Sequence, residues 1–199
     1  MSDKQLGTYH MIDNANPSLY EVARSNNFEF IVNGVSSILK AGAIVAPGAT
    51  PQASDLVPST GDDTVRLSVA RAFVPNFTQD EVVIQRGNTK MYAAGVPTFE
   101  AGSLVVNDFI GIDTKSVILA WQRLCYDATT ERVGRMADYK KTCFLIEYTP
   151  DYQIVRKWRL DGCWVKGISE SEFTMEDGGK RMITANIRFD RAMPIYDEE

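Results

Sequence analysis

The chain of 199 residues is poor in the side chains that most often do chemistry, with one histidine, His10, and three cysteines, Cys125, Cys143 and Cys163. His10 lies in a weakly patterned N-terminal stretch, and triads of the Ser-His-Asp or Cys-His type need an imidazole held rigidly between nucleophile and acid. Catalysis through His10 is therefore not expected. The cysteines are odd in number, widely spaced and without a C-x-x-C pair, which argues against a disulfide framework or a zinc site and for small buried hydrophobes. No G-x-x-x-x-G-K-[ST] or G-x-G-x-x-G pattern occurs, so no phosphate loop is expected, and no cofactor is implied. The longest apolar stretch, Ala41 to Ala49, contains Pro47 and Gly48 and is far short of the ~20 residues of a membrane-spanning helix. The first residues lead into no apolar segment of the secretory type, so synthesis in a reducing cytoplasm without a membrane anchor is the expectation. Basic charge is in deficit as well. With 21 Lys and Arg against 26 Asp and Glu, the formal charge is −5, whereas proteins that grip nucleic acid by counterion release carry a positive footprint.

What the sequence has is alternation. Phe28, Phe30 and Val32 alternate with Glu29, Ile31 and Asn33; Val65, Leu67, Val69 and Phe73 with Arg66, Ser68, Ala70 and Ala72; Ile154, Trp158 and Leu160 with Gln153, Lys157, Arg159 and Asp161; Ile183, Ala185, Ile187 and Phe189 with Thr184, Asn186, Arg188 and Asp190. A period of two marks strands with one buried face. The continuous run Cys143–Ile146 reads as a strand covered on both faces, with Pro150-Asp151 turning the chain after it. Gly87-Asn88, between Val82–Arg86 and Thr89–Tyr92, suits a two-residue hairpin turn because both residues accept positive φ. Asp177-Gly178-Gly179 is read as another turn. It supplies too few alternating acids for a calcium loop.

One amphipathic helix stands out, capped by Asp113 or Thr114 and carrying Val117, Trp121, Leu124 and Ala128, with Ile118 and Cys125 widening the stripe. From Val35 to Asp63 the composition shifts to Ala, Gly, Pro, Ser and Thr, and periodicity vanishes. The expectation is one domain over 1–199, with an N-terminal arm over 1–25 and a long loop over 35–63.

Few other groups point to chemistry. Carboxylates are more plentiful, with Glu170 and Glu172 on one face of a strand, Asp62-Asp63 in the loop and Asp197-Glu198-Glu199 at the end. A hydrolase pair, however, needs two carboxyl groups facing each other across a cleft, and neighbours on one strand face are ordinarily solvated. Arg156-Lys157-Trp158-Arg159 is the one cluster that could stack on and pair with a nucleic-acid strand. In a strand, however, Trp158 points away from Lys157 and Arg159, which fits a buried tryptophan under a charged face. A strand-rich chain with arms, open sheet edges and no catalytic constellation is suited to assembling with copies of itself.

From Ser25 to Pro194 an ordered series of features resembles the tail tube proteins of contractile-tailed bacteriophages, a family related in fold to the tubes of contractile secretion and bacteriocin machines. The series is Phe28-Glu29-Phe30; Ala72-Phe73-Val74-Pro75; a hairpin closing on Ala94-Gly95; Thr98-Phe99 leading to Val105-Val106-Asn107-Asp108; a helix with Ala120-Trp121; Asp138-Tyr139-Lys140-Lys141 opening a strand; the turn in Leu160-Asp161-Gly162-Cys163-Trp164; and the closing strand Ile183–Asp190. The segment 35–63 is longer than the family's first connection.

The resemblance implies an α+β, mostly β fold: an antiparallel β-sandwich or half-barrel with one flanking amphipathic helix. It implies a structural virion protein, not an enzyme, whose hexameric rings stack into the tube that conducts the phage genome. Its partners would be further copies of itself, the tail sheath protein, the baseplate or tube initiator, the tape measure protein and the tail terminator, with dsDNA passing through unbound. A tube initiator or baseplate hub of the same fold is the alternative, and a virion-associated hydrolase or small DNA-binding module lies further off. On this reading Arg66, Ser68, Gln85 and Lys90 are the candidates to line the lumen. The loop from Asn76 through Phe77 and Asp80 to Glu81, and the tip Gly87-Asn88, are the candidates for ring-to-ring contact. Six copies at −5 each would present phosphates with a wall that does not hold them.

Overall fold

The computed structural model describes residues 24–34, 61–109, 114–171 and 179–195. His10, Asp113, Glu172, most of the two segments expected as arm and loop, and the stretch expected to turn at Asp177-Gly178 lie outside them.

Most strands join one antiparallel sheet in the order β1 (Phe28–Val32), β8 (Lys141–Tyr148), β9 (Ile154–Glu170), β10 (Met182–Arg188), β5 (Gly102–Asn107), β2 (Val69–Arg71), with β11 (Arg191–Ile195) also paired to β9. β9 is the spine. Its first half pairs with β8, from Tyr148↔Ile154 to Lys141↔Cys163, and β11 lies along the same half from Asp161 to Lys157. Its second half pairs with β10, from Arg188↔Trp164 to Ile183↔Glu170. The sheet thus has two wings that share one strand and curl into a half-barrel, the α+β, mostly β class expected.

The inward side chains form one core. Phe30, Val32, Cys143, Leu145 and Leu160 come from one wing, and Leu104, Val106, Val165, Ile183, Ala185 and Ile187 from the other, all buried. Phe30 and Val32 on β1 and the whole Ile183–Phe189 series are buried as their alternation predicts. Helix α2 (Thr114–Cys125) closes the core with Val117, Ile118, Ala120 and Trp121. The Trp121 Nε1–H donates to the Tyr139 carbonyl at 2.8 Å, which ties α2 to the single-turn helix α3 (Met136–Tyr139).

Four local expectations give way. The stretch from Val65 to Ser68 belongs to helix α1 (Gly61–Ser68), not to a strand. Val65 and Ser68, three apart, are buried while Leu67 between them is 68% exposed, as a helical period requires. Helix α2 stops at Cys125, so Ala128 lies beyond it, in the connection between the strands of a two-stranded ribbon, β6 (Tyr126–Asp127) and β7 (Arg132–Val133). Asn76 to Glu81 is no loop, because all but Asn76 lies in β3 (Phe77–Arg86). Gly162-Cys163-Trp164 is not a turn; the three residues lie inside β9, where Gly162 takes φ +70°.

Candidate assembly interface

β3 and β4 (Thr89–Phe99) form a two-stranded hairpin that pairs with no other described strand. Ten and eleven residues long, it is exposed along almost its whole length. It closes through Gly87-Asn88, with Arg86↔Thr89 as the last pair and Gly87 at φ +62°, the two-residue turn that the sequence predicts. The bulge between Gln79 and Glu81 brings Gly95 against Asp80. A Cβ on Gly95 would lie 2.6 Å from the Asp80 carbonyl oxygen, so the close approach needs glycine.

Register assigns the faces. The pairs Val82↔Ala93 and Ile84↔Met91 share one side, an apolar stripe ending at Arg86↔Thr89. Glu81↔Ala94, Val83↔Tyr92 and Gln85↔Lys90 share the other, where polar and apolar groups mix. Ile84 is 49% exposed, Met91 51% and Tyr92 65%. An isolated two-stranded ribbon is at best marginally stable in water, and apolar side chains exposed in a contiguous patch mark a contact surface.

The root of this ribbon is anchored by aromatic packing. Phe77 and Phe99 stand opposite one another with ring centroids 5.6 Å apart, Phe99 meets Phe189 at 5.8 Å, Phe189 stacks on Phe73 at 5.6 Å, and Phe73 meets Phe30 at 5.9 Å. This chain of rings ties an exposed element to the buried core. Asn76 sets the entry, its side-chain oxygen accepting the Phe77 N–H at 2.8 Å while its carbonyl accepts the Glu100 N–H at 3.3 Å.

The residues expected at ring contacts therefore all belong to one element. Phe77 lies at its root with Asn76 just before it, Asp80 and Glu81 at its bulge, and Gly87 and Asn88 at its tip, about 20 Å from Glu81 and about 33 Å from Phe77 at ~3.3 Å per residue. The lumen candidates do not form one set. Gln85 and Lys90 are a cross-strand pair next to the tip, whereas Arg66 and Ser68 are on α1. Ser68 is fully buried with its hydroxyl 2.8 Å from that of Thr114, so it cannot line a channel. Arg66 donates to Glu29 at 2.7 Å, and the Tyr148 O–H donates to the other Glu29 oxygen at 2.9 Å. That trio staples α1 and β8 to β1. Burial, together with the Glu29 carboxylate, pushes the Tyr148 phenol up.

The other candidate groups are held in structural pairs. Glu170 accepts from Lys115 at 2.8 Å and from Arg181, and these two cations hold its carboxyl below the ordinary range. A carboxylate so held is a poor general acid. In the basic cluster, Arg156 is 3.6 Å from Glu147, Arg159 is 2.8 Å from Asp161, and Lys157 sits 5.5 Å above the Phe144 ring. Trp158 packs against the core opposite Leu145 and Pro194, as strand alternation predicts. Among the described residues no three His, Cys, Asp or Glu side chains gather as metal ligands.

What sequence reasoning missed is the apolar stripe of Val82, Ile84, Met91 and Ala93. The run Val82-Val83-Ile84 signals a strand but carries no sign that its side chains are left half-exposed among the described residues.

No family model matches the chain, and no curated protein does. Solved structures do. The chain is similar to a chain of an extracellular contractile injection system, the PVC sheath/tube terminator in extended state, with a TM-score of 0.58 at 11% identity over 88% of this chain and 98% of that one. It is similar to a chain of the PVC sheath-tube complex in extended state, with a TM-score of 0.54 at 9% identity over 89% and 94%. For a chain of the six-fold symmetrised baseplate of the anti-feeding prophage the TM-score is 0.54 at 10% identity over 88% and 96%. The chain has the tail-tube-like fold shared with contractile injection systems.

Proposed function

We propose that this chain is the structural subunit of a tail tube, whose copies close into six-membered rings that stack into a hollow conduit inside a contractile tail. The observation that carries this reading is the β3–β4 hairpin, anchored at its root by Phe77 and Phe99 and exposed on both faces beyond it. Burying a whole apolar side chain contributes roughly 1.5–3 kcal/mol, so the exposed halves of Val82, Val83, Ile84, Met91 and Tyr92 offer several kcal/mol to an element that docks on a neighbour. Association must offset at least about 4 kcal/mol of lost freedom, which repeated contacts around a closed ring can supply.

Asn76, Phe77, Asp80, Glu81, Gly87 and Asn88 are the contact residues on this reading, and Gln85 and Lys90 belong with them on the hairpin. The six-fold baseplate among the similar structures supports the ring number. The assembly is a phage virion tail made in the host cytoplasm, through which the genome passes. The sheath, baseplate, tape measure and terminator proteins are its further partners.

A second reading, a tube initiator or other end component, has the likeness to the terminator and baseplate chains in its favour. Negative-stain microscopy of the purified protein at rising concentration tests both. Annular particles that stack into tubes support the tube subunit, and rings that never stack support the end component. A strictly monomeric protein at high concentration overturns both.

A further inference from the structure

We infer that a groove at one end of the wing built from β1, β8, β11 and the first half of β9 is the receptor for the β3–β4 hairpin of a second copy, a pairing that rests on the assembly proposed above. The registers show why a groove forms there. Phe30, Leu145, Trp158 and Pro194 stand side by side on the core face of the four strands. Two residues further along, the same face carries Phe28, Glu147 and Arg156, so the apolar layer runs out while the sheet goes on.

Two adjoining cavities result, of about 440 and 790 Å³, with Val74, Glu147 and Val155 in the wall of both. Trp158, Pro194 and Ile195 line the smaller one, and Phe28, Val69 and Leu145 the larger. The mouth is apolar too. Val74 is 65% exposed, Ile154 50% and Val155 46%, and Tyr152, held at φ +60° just before β9, is 81% exposed. The charged groups of the smaller cavity are already engaged, Glu147 with Arg156 at 3.6 Å and Lys157 with the Phe144 ring at 5.5 Å. Sites for small ligands carry polar groups aimed inward to orient them. This one offers a trough for apolar side chains.

The same chain carries a matching ridge. Val82, Ile84, Met91 and Ala93 form a stripe two strands wide, about 5 Å from strand to strand, that is left half-exposed in the subunit. The stripe ends at Arg86, and the acid in the shared wall of the groove is Glu147, so a seated stripe brings a cation to a carboxylate whose own ion pair is long. A contact between two different surfaces of identical chains is head to tail. Such contacts close into rings or grow into filaments according to the rotation they carry, which is the kind of interface a stacked tube requires.

Ile84→Cys and Val155→Cys, singly and together in a Cys125→Ser background, test the pairing. A maleimide should label Val155→Cys readily in the dissociated subunit, and that labelling should be lost in assembled particles. A short bismaleimide added after assembly should link the double variant into a ladder of chains, and should link the two single variants to each other when they are mixed. Ile84→Cys combined with Val133→Cys, a site 78% exposed on β7, should give no ladder. Protection of Val155→Cys already in the dissociated subunit puts a segment of the same chain in the groove. Free labelling in assembled particles leaves the groove open for another protein, and protection without linkage gives it to another part of the neighbour. Each of these three results overturns the pairing while rings still form. If the unsubstituted protein forms no rings, the assembly reading fails first and the pairing falls with it.

Discussion

Gly162 on β9 and Asp190 between β10 and β11 face each other where two neighbouring strands change direction together. Gly162 takes φ +70°, the Asp190 N–H donates to the Asp161 carbonyl at 2.9 Å, and the Asp190 carboxylate receives Lys140 at 2.6 Å. β9 leaves β8 and the strand line of β11 becomes that of β10 at this level. One long strand thereby serves two wings, and the half-barrel acquires its curl.

The Gly162→Ala variant should be destabilised by about 1–3 kcal/mol, because a left-handed backbone opposes any Cβ and the added carbon runs into the Asp190 carboxylate. Urea unfolding of the dissociated subunit measures this. A midpoint equal to that of the unsubstituted protein would show that the joint tolerates a side chain.

Val82→Asp and Ile84→Asp separate assembly from folding. Both side chains are exposed in the subunit, so its unfolding free energy should change by no more than about 0.5 kcal/mol. Ring and tube formation, followed by sedimentation, should be abolished, since a carboxylate would have to enter an apolar contact. Tubes of normal length from either variant would remove the hairpin from the assembly surface.

Acid should weaken the fold through Glu170 and Asp127. Lys115 and Arg181 hold Glu170 low, while the Thr129 N–H and Thr130 hydroxyl are the main groups holding Asp127 low. Carboxyls depressed in the folded state contribute stability above their unfolded pKa values of about 4, and lose it as pH falls through the folded ones. Tyr148 acts at the opposite end. Its raised phenol contributes fully below the unfolded pKa of about 10 and loses that contribution as pH rises through the folded value. Thermal melts against pH should therefore show both limbs, with Glu170→Gln flattening the acid one and Tyr148→Phe the alkaline one.

All three thiols should be silent in the native subunit. Cys143 and Cys163 are fully buried, burial being the main reason the Cys143 thiol is pushed up, and half-burial pushes Cys125 up to about 11. Titration with a chromogenic disulfide at neutral pH should find them slow when folded and all three fast in denaturant. Fast native labelling of Cys125 would contradict its burial.

Much of the fold is written locally. The alternation of Ile183, Ala185, Ile187 and Phe189, the turn at Gly87-Asn88 and the apolar stripe of α2 depend on side-chain period and backbone φ, properties of a few consecutive residues. These could be read without any tertiary contact. The helix over Val65–Ser68 could not, because Val-Arg-Leu-Ser alternates as well as it coils and packing of Val65 into the core decided between the two. Nor could the continuous course of β9 through Gly162, which requires Asp190 on the adjoining strand line. The division of the surface was decided last and at longest range. Period two states that one side of a strand is less polar than the other, but whether another layer covers that side depends on chain segments far away in sequence. Thus Val82 and Ile84, as apolar as any core residue, are left half-exposed among the described residues, and Ser68, chosen for a polar face, is buried.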